Sequence, residues 1–232
     1  QQGLEDSEAS LVFADEARLS FIRELNASLP AASADSGNTN HTTALADILK
    51  RDTAVAAEVV AVDRHDPAIL MFTSGTSGRP KGAMLSHFNC CQALMNVEFI
   101  GAGTYMTNME EMNQQLASPI PPKTLLAVPL FHISGLLSQA LINLRHGRAL
   151  FMMYKWDIDE AIRIIRDENV TVLMGAPVML LELLKNEQFG DEHAAHLTNV
   201  SAGGAATPEL LSELYATKTG SAMSGGGWGM TE

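Results

Sequence analysis

A loop of glycines, hydroxyl side chains and one lysine is the first part of this chain that can do chemistry. Residues 73–82 read Thr-Ser-Gly-Thr-Ser-Gly-Arg-Pro-Lys-Gly and come directly after an apolar run at residues 68–72. Glycines let backbone amides approach an anion, hydroxyl groups add hydrogen-bond donors, and Lys81 adds a positive charge. The nucleoside-triphosphatase pattern Gly-x-x-x-x-Gly-Lys-Ser/Thr does not fit, because Pro80 and Gly82 occupy its glycine and hydroxyl positions. The run predicts a phosphate-binding loop of another kind.

Pro80 determines the structure on the C-terminal side of this loop. Proline disfavours a helix that begins inside the loop, so we predict a second short strand at residues 83–85. Ser86 then caps a helix over residues 86–100. A flexible surface loop is the alternative interpretation of such a glycine- and serine-rich stretch.

Three further blocks of possible functional residues come later in the chain. Residues 128–135 read Val-Pro-Leu-Phe-His-Ile-Ser-Gly and residues 201–209 read Ser-Ala-Gly-Gly-Ala-Ala-Thr-Pro-Glu. Residues 226–232 read Gly-Gly-Trp-Gly-Met-Thr-Glu. A lone histidine is commonly structural, and the paired glycines also fit a packing turn before a helix, with Thr207 as its N-cap and Pro208 as its first residue.

The order and spacing of the four blocks resemble the adenylate-forming superfamily, which includes acyl-CoA synthetases, peptide-synthetase adenylation domains and beetle luciferases. The resemblance implies that His132 and Phe131 lie beside the substrate carboxylate. It also implies that Thr231 contacts the α-phosphate, that Glu232 helps to hold Mg²⁺, and that Lys81 reaches the outer phosphates. Carboxylate and phosphate oxygens are the ligands that such a hard cation prefers.

The same resemblance implies a set of nucleotide contacts. They are Thr73, Ser74, Gly75, Thr76, Ser77, Gly78, Lys81, Gly203, Gly204, Ala205, Gly226, Gly227, Trp228, Gly229, Met230 and Thr231. Trp228 stands where the family more usually has tyrosine, which keeps a flat ring but changes its hydrogen-bonding edge.

The resemblance to acyl-CoA synthetases implies ATP-dependent activation of a carboxylic acid, and then transfer of the acyl group to coenzyme A. We expect a fatty acid as substrate, with Ile133, Leu136, Met174 and Val178 as apolar walls. A peptide-synthetase adenylation domain is the first alternative, although the 128–135 block offers no acid for an amino group. A non-catalytic nucleotide-binding module is the second.

Family members are longer than this chain, so we expect residues 1–232 to be part of a large N-terminal adenylation domain. The family's ribose-binding aspartate, its hinge and the small C-terminal domain with the catalytic lysine have no counterpart here. A chain without them is expected to make no acyl-CoA by itself.

Composition predicts a globular protein. Of its 232 residues, 46% are hydrophobic and 18% are charged, and a net charge of −12 argues against nucleic acid as a partner.

Cys90 and Cys91 are adjacent and poorly placed to bridge each other, which favours a reducing cytoplasm. Both are expected to be half-buried on the helix over residues 86–100. Neither a leader sequence nor an apolar run of membrane-spanning length is present, so we expect no transmembrane segment.

Alternating strand and helix patterns predict an α/β fold of layered parallel sheets covered by helices, with ligands at the carboxyl ends of the strands. Predicted strands cover residues 11–15, 68–72, 83–85, 148–152, 170–174 and 198–201. Predicted helices cover residues 16–28, 43–51, 86–100, 132–144, 157–168, 177–186 and 208–219. Residues 31–43 are predicted to be a mobile loop and residues 101–122 an irregular segment whose methionines pack on the core. His193 and His196 are predicted to lie at a solvated helix end.

Overall fold

The computed structural model describes residues 2–25, 29–34, 43–44, 59–74, 78–220 and 222–231. The chain forms two compact units. The first unit contains Gln1–Asp66 and Phe72–Ala83, and the second contains Pro67–Met71 and Met84–Glu232.

The first unit contains a small parallel sheet. Its strands β1 (Val12–Ala14), β2 (Ala31–Ser33) and β3 (Thr43–Ala44) lie in chain order, with helix α1 (Gln2–Asp6) before β1 and helix α2 (Glu16–Leu25) after it. The loop predicted to begin at residue 31 and the helix predicted to begin at residue 43 are therefore wrong at these positions. Backbone pairing with β1 overrides the weak strand propensity of the alanines in β2. Residues 26–28, 35–42 and 45–51 of these predictions lie outside the described residues.

The second unit is built on a five-stranded parallel sheet. Its strands are β6 (Lys123–Leu126), β7 (Ala149–Met152), β8 (Val172–Gly175), β9 (Asn199–Gly203) and β10 (Met223–Gly227). They lie in the order β10-β9-β8-β6-β7 across the sheet. The predicted parallel α/β architecture is confirmed. Local sequence signals do not predict β10, because its Met-Ser-Gly-Gly-Gly sequence has little strand propensity, and pairing with β9 supplies its structure.

Helices connect these strands. They are α3 (His87–Thr107), α4 (Met109–Leu116), α5 (Ile133–Gly135), a π-helical segment (Leu136–Leu141), α6 (Ile142–Arg145), α7 (Ile158–Glu168), α8 (Pro177–Lys185), α9 (Asp191–Ala194) and α10 (Glu209–Lys218). Strands β4 (Pro67–Thr73) and β5 (Lys81–Ser86) form a separate two-stranded sheet before α3. Among the described residues, none of the helices combines the length and apolar composition needed to cross a bilayer.

The main core of the second unit lies between the sheet and helices α7, α8 and α10. Helix α7 contributes Ala161, Ile162, Ile164 and Ile165, which are buried with Leu173 of β8. Its opposite face carries charged residues, so the apolar residues repeat at helical spacing toward the sheet. Asp157 caps its first turn by accepting a hydrogen bond from the Glu160 amide at 3.0 Å.

Helix α3 differs from its prediction at its C-terminal end. Ser86 caps it as predicted, because its hydroxyl accepts from the Asn89 amide at 3.2 Å while the Asn89 side chain accepts from the Ser86 amide at 3.0 Å. The helix then continues to Thr107, and α4 comes next, where an irregular segment is predicted from the sequence. Gly101 and Gly103 weaken the helical pattern in the sequence but are tolerated in the helix. Met106 is 75% exposed and does not pack on the core.

Candidate active site

The sheet of the second unit has a switch point at β6, where successive strands stop adding to one side of the sheet and begin to add to the other. The connection from β6 leads to β7 on one side, whereas β8 pairs with the other side of β6 and leads outward to β9. Ligands of open parallel sheets bind in the crevice outside the carboxyl ends of such strands. The loop after β6, which carries the predicted His132 block, leaves the sheet at this edge.

His132 lies in a tight turn between β6 and α5. Its amide donates to the Pro129 carbonyl at 3.1 Å, and its own carbonyl accepts from the amides of Gly135 and Leu136, each at 3.0 Å. It occupies the N-cap position of α5 with extended backbone angles of φ −109° and ψ 143°. Its exposed ring lies 4.6 Å from the Phe131 ring, centroid to centroid. The backbone therefore fixes an exposed imidazole beside an exposed aromatic ring.

A buried chain of polar side chains lies behind this turn, and the sequence does not predict it. The Thr124 hydroxyl of β6 donates to Asn143 Oδ1 at 2.9 Å, and Asn143 Nδ2 donates to the Gln139 carbonyl at 2.7 Å. Gln139 Nε2 lies 3.4 Å from the Ser134 carbonyl, and Gln139 Oε1 has no hydrogen-bond partner among the described residues. The π-helical segment that contains Gln139 is a form of helix often found at functional sites.

The two glycine-rich blocks of the second unit lie on adjacent strands. Gly203 at the end of β9 pairs in register with Gly227 at the end of β10. A Cβ atom on Gly203 would lie 3.2 Å from the Gly227 carbonyl oxygen, so the strand ends approach closely. Gly204 has a φ of +83°, a conformation that glycine adopts without strain, and Ala205 after it is exposed. The structure therefore brings these predicted contacts together.

Thr207 has a different position from the predicted one. Pro208, and not Thr207, is the N-cap residue of α10, and no side chain of the described residues caps this helix. The Thr207 hydroxyl oxygen instead lies 3.8 Å from the point where a Cβ atom on Gly226 would be. Thr207 thus belongs to the glycine-rich part of the site, because the turn through Gly204 carries it toward β10.

The last block begins with Gly226 and Gly227 in β10 and continues beyond the end of this strand. Trp228 is 89% exposed, Met230 is also exposed, and Thr231 is partly exposed. Gly229 lies between them in a segment with neither helix nor strand structure. Glu232, the predicted magnesium ligand, lies outside the described residues. In the part of the chain that the structure describes, no group of three or more acidic, histidine or cysteine side chains could hold a metal ion.

The residues of the predicted phosphate-binding loop connect β4 and β5. The second strand predicted after Pro80 is confirmed by β5, and the Thr73 hydroxyl donates to the Lys81 carbonyl at 3.4 Å across the two strands. Gly78 has a φ of +78°, and Ser74 and Lys81 are exposed. Gly75, Thr76 and Ser77 lie outside the described residues.

His193 is a structural residue, and the prediction of a solvated position is wrong for it. It is 5% exposed, its Nδ1 accepts from the Gly190 amide at 3.1 Å, and its ring stacks on Phe189 with centroids 5.6 Å apart. The buried Phe189 ring provides an apolar surface that removes the imidazole from water. His196 is partly exposed.

The predicted apolar walls divide between two environments. Ile133 and Leu136 pack on a small cluster of Leu85, Cys90 and Leu137, whereas Val178 is exposed. Met174 is partly buried on β8.

The two cysteines also lie in different environments. Burial, with the neighbouring Cys91, raises the pKa of the Cys90 thiol. Cys91 itself is exposed, so the prediction of a half-buried position is wrong for it. The two residues are neighbours on helix α3 and therefore point in different directions from its axis.

Comparisons with known proteins agree with this fold. The chain is 30% identical over 184 residues to 4-coumarate--CoA ligase-like 5 of Oryza sativa subsp. japonica, which covers 77% of this chain and 32% of that protein. It is 28% identical over 188 residues to a long-chain-fatty-acid--CoA ligase of Bacillus subtilis (strain 168), which covers 81% of this chain and 31% of that protein. The chain thus spans about a third of the length of these relatives.

A solved structure has the same fold. The crystal structure of ATP-bound MatB from Rhodopseudomonas palustris superposes with a TM-score of 0.74 at 24% sequence identity, over 100% of this chain and 42% of that one. A family model described as AMP-binding enzyme matches residues 1–232. Because this match covers the whole sequence, the chain belongs to the AMP-binding enzyme family.

Proposed function

We propose that this chain is part of an acid–thiol ligase that uses ATP to activate a carboxylic acid and then transfers the acyl group to coenzyme A. The observation that carries the proposal is that the His132 block and the two glycine-rich blocks lie at the carboxyl ends of β6, β9 and β10 in one parallel sheet. Membership of the AMP-binding family and the CoA ligases among the relatives support it.

In the proposed reaction, a carboxylate oxygen attacks the α-phosphorus of ATP, and the bond to pyrophosphate breaks. The thiol of coenzyme A then attacks the acyl-adenylate carbonyl and releases AMP. His132 contacts the acid, Thr231 contacts the α-phosphate, and Lys81 contacts the outer phosphates. Glu232 would help to hold magnesium, which would supply charge stabilisation at the phosphates. The exposed Trp228 ring stacks near adenine.

A fatty acid is the proposed substrate class. Phe131, which is exposed beside His132, offers an apolar surface to an acyl chain. The 128–135 block contains no acidic side chain that could pair with the amino group of an amino acid. Hydroxamate trapping with the complete protein tests this choice against aryl acids and amino acids. Stronger trapping with any amino acid than with a panel of fatty acids would assign the protein to peptide-synthetase adenylation.

Residues 1–232 are proposed to be part of a large N-terminal adenylation domain, and a small C-terminal domain is proposed to supply the catalytic lysine. We expect the 232-residue chain alone to form no thioester. Thioester formation by this chain at the rate of the complete protein would contradict that expectation.

The two cysteines without disulfide partners support the proposal of a cytoplasmic location.

Two charge substitutions test the assigned roles. Glu232→Ala removes a metal-positioning carboxylate whose effect grows as charge develops, so we expect about a hundredfold slower adenylation. Lys81→Ala removes an exposed point charge and should mainly raise the KM for ATP. Single-turnover adenylate formation at saturating ATP and Mg²⁺ separates these effects. Near-normal rates with Glu232→Ala and nearly complete loss with Lys81→Ala would reverse the two roles.

A further inference from the structure

Gly135 lies at a backbone contact that leaves no space for a side chain. A Cβ atom on Gly135 would lie 2.3 Å from the Pro129 carbonyl oxygen, 2.8 Å from the Val128 carbonyl oxygen and 2.9 Å from the Pro129 carbonyl carbon. All three atoms belong to the backbone, so no flexible side chain can move aside to relieve the overlap. Any residue larger than glycine must displace one of the two segments.

This contact is connected directly to His132. The Pro129 carbonyl that faces Gly135 also accepts the hydrogen bond from the His132 amide, and the Gly135 amide donates to the His132 carbonyl. Pro129 and Gly135 therefore hold the backbone of His132 from its two sides. A displacement of either residue moves the point from which the imidazole extends.

The helical side of the contact is the better anchored of the two. Gly135 leads into the π-helical segment, where Leu137 is buried and Gln139 is 2% exposed. The buried hydrogen bonds from Thr124 through Asn143 to Gln139 tie this segment to β6. On the other side, residues 130–132 are exposed. A side chain at position 135 should therefore shift the exposed loop and leave the helix in place.

We propose that Gly135 is a positioning residue, whose missing side chain sets the location of the His132 imidazole relative to the acid substrate. The role toward the acid rests on the proposed function, whereas the role toward His132 rests on the contacts alone. Gly103 in α3 offers a matched control, because a Cβ atom there would have no neighbour within 4 Å among the described residues.

The test compares Gly135→Ala and Gly103→Ala in the complete protein. For Gly135→Ala we expect kcat/KM for the acid to fall on the order of a hundredfold, as for a catalytic group misplaced by about 1 Å, while the KM for ATP stays unchanged. The imidazole C–H signal of His132, assigned with His132→Gln, should also shift in the NMR spectrum of histidine-labelled protein. Gly103→Ala should change neither quantity.

The outcomes separate this proposal from the proposed function. A folded Gly135→Ala protein with an unchanged His132 signal and unchanged kinetics toward the acid would overturn the positioning role. A shifted His132 signal in Gly135→Ala, when the wild-type protein itself activates no acid, would retain the geometric role and reject the proposed function.

A second variant covers the case in which Gly135→Ala does not fold. Pro129→Gly combined with Gly135→Ala frees the loop to move away from the new methyl group. This double variant should fold, with a shifted His132 signal and weakened use of the acid. If it has a wild-type signal and wild-type kinetics, or if it also fails to fold, the proposal is wrong, because the loop is then not the segment that yields.

Discussion

The two parts of the candidate site in the second unit are built in different ways. The β6 side, residues 123–145, is held by buried contacts: Gly135 against two carbonyl groups, and Asn143 between Thr124 and Gln139. The glycine side, residues 199–207 and 223–231, ends in exposed backbone after β9 and β10, with the Trp228 ring almost fully exposed.

Under the proposed function, this contrast would suit a single sheet edge to two kinds of ligand. On the β6 side, internal packing fixes the backbone around His132 before any ligand arrives. On the glycine side, the missing side chains leave peptide groups open, so that an anion or a flat base can approach the main chain. We therefore expect the largest losses of stability from substitutions of buried side chains on the β6 side, and mainly losses of ligand affinity from substitutions of exposed side chains on the glycine side.

Asn143→Ala should have the largest effect on stability. The side chain is 4% exposed, and its loss removes two buried hydrogen bonds and leaves the Thr124 hydroxyl without its acceptor. We expect the free energy of unfolding to fall by about 3 kcal/mol in urea titrations. Asn96→Ala is the control, because Asn96 is exposed and accepts from Gln92 on the same helix. Equal losses of unfolding free energy in both variants would mean that the buried hydrogen bonds of Asn143 stabilise the fold no more than an exposed one does.

Gly204→Ala should have the next largest effect. Its φ of +83° is strained for alanine, and we expect a loss of about 1–2 kcal/mol in the free energy of unfolding. Gly225→Ala in β10 is the matched control, because its Cβ atom would meet nothing within 4 Å among the described residues and its φ is not in the strained range. The prediction fails if the two variants are equally stable by urea titration.

Tyr215→Phe should have a small effect at neutral pH and a larger one in alkali. Tyr215 lies on α10, between β9 and β10 in the chain, and its buried hydroxyl has no hydrogen-bond partner among the described residues. Burial raises its pKa from 10.0 to about 12. A raised pKa means that the neutral form is favoured in the folded state, so stability is lost as the pH rises from about 10 to 12.

Unfolding of wild type and Tyr215→Phe, measured between pH 8 and pH 12, checks this linkage. The variant should lose less stability than wild type above pH 10 and differ by less than about 1 kcal/mol at pH 7. Parallel curves for the two proteins over the whole range would show that Tyr215 does not titrate in the way its burial implies.

Trp228→Ala should have the smallest effect on stability. An exposed ring contributes little to folding, so the free energy of unfolding should stay within about 0.5 kcal/mol of wild type. The affinity of the variant for ATP should fall, because the loss of base stacking on an aromatic ring costs about 1–3 kcal/mol. Calorimetric titration of the complete protein with ATP measures the change. If Trp228→Ala binds ATP with unchanged affinity but is clearly less stable than wild type, the ring serves folding and not ligand binding, and our description of the glycine side is wrong.

Local signals in the sequence predict much of this fold. Apolar runs mark β4 and β7 to β9, Ser86 marks the start of α3, and Pro80 marks the return into β5. The candidate blocks lie at strand ends, as the alternation of strand and helix patterns predicts. Strands β2 and β10 are not visible in it, because alanine, serine and glycine carry little strand propensity and take strand structure from their neighbours.

The features that the sequence does not predict depend on how loops fold and pack, which local sequence signals do not specify. The close backbone contact at Gly135 forms only when the turn after β6 folds. Asn143 and Thr124, which form a hydrogen bond, are nineteen positions apart in the sequence. The burial of His193 cannot be predicted from the sequence either, because it depends on contact with Phe189 and on the fold of a short loop. A glycine at the end of the 128–135 block is the one visible signal, but a glycine alone does not specify which backbone approaches it.

The strand order β10-β9-β8-β6-β7 has a consequence for how the second unit assembles during synthesis. Strand β7 adds to one edge of β6, β8 adds to its other edge, and β9 and β10 then add outward in turn. Among the described strands of this sheet, none must insert between two that are already paired. The sheet can therefore grow as the chain leaves the ribosome, with the β6 side formed first and the glycine side last.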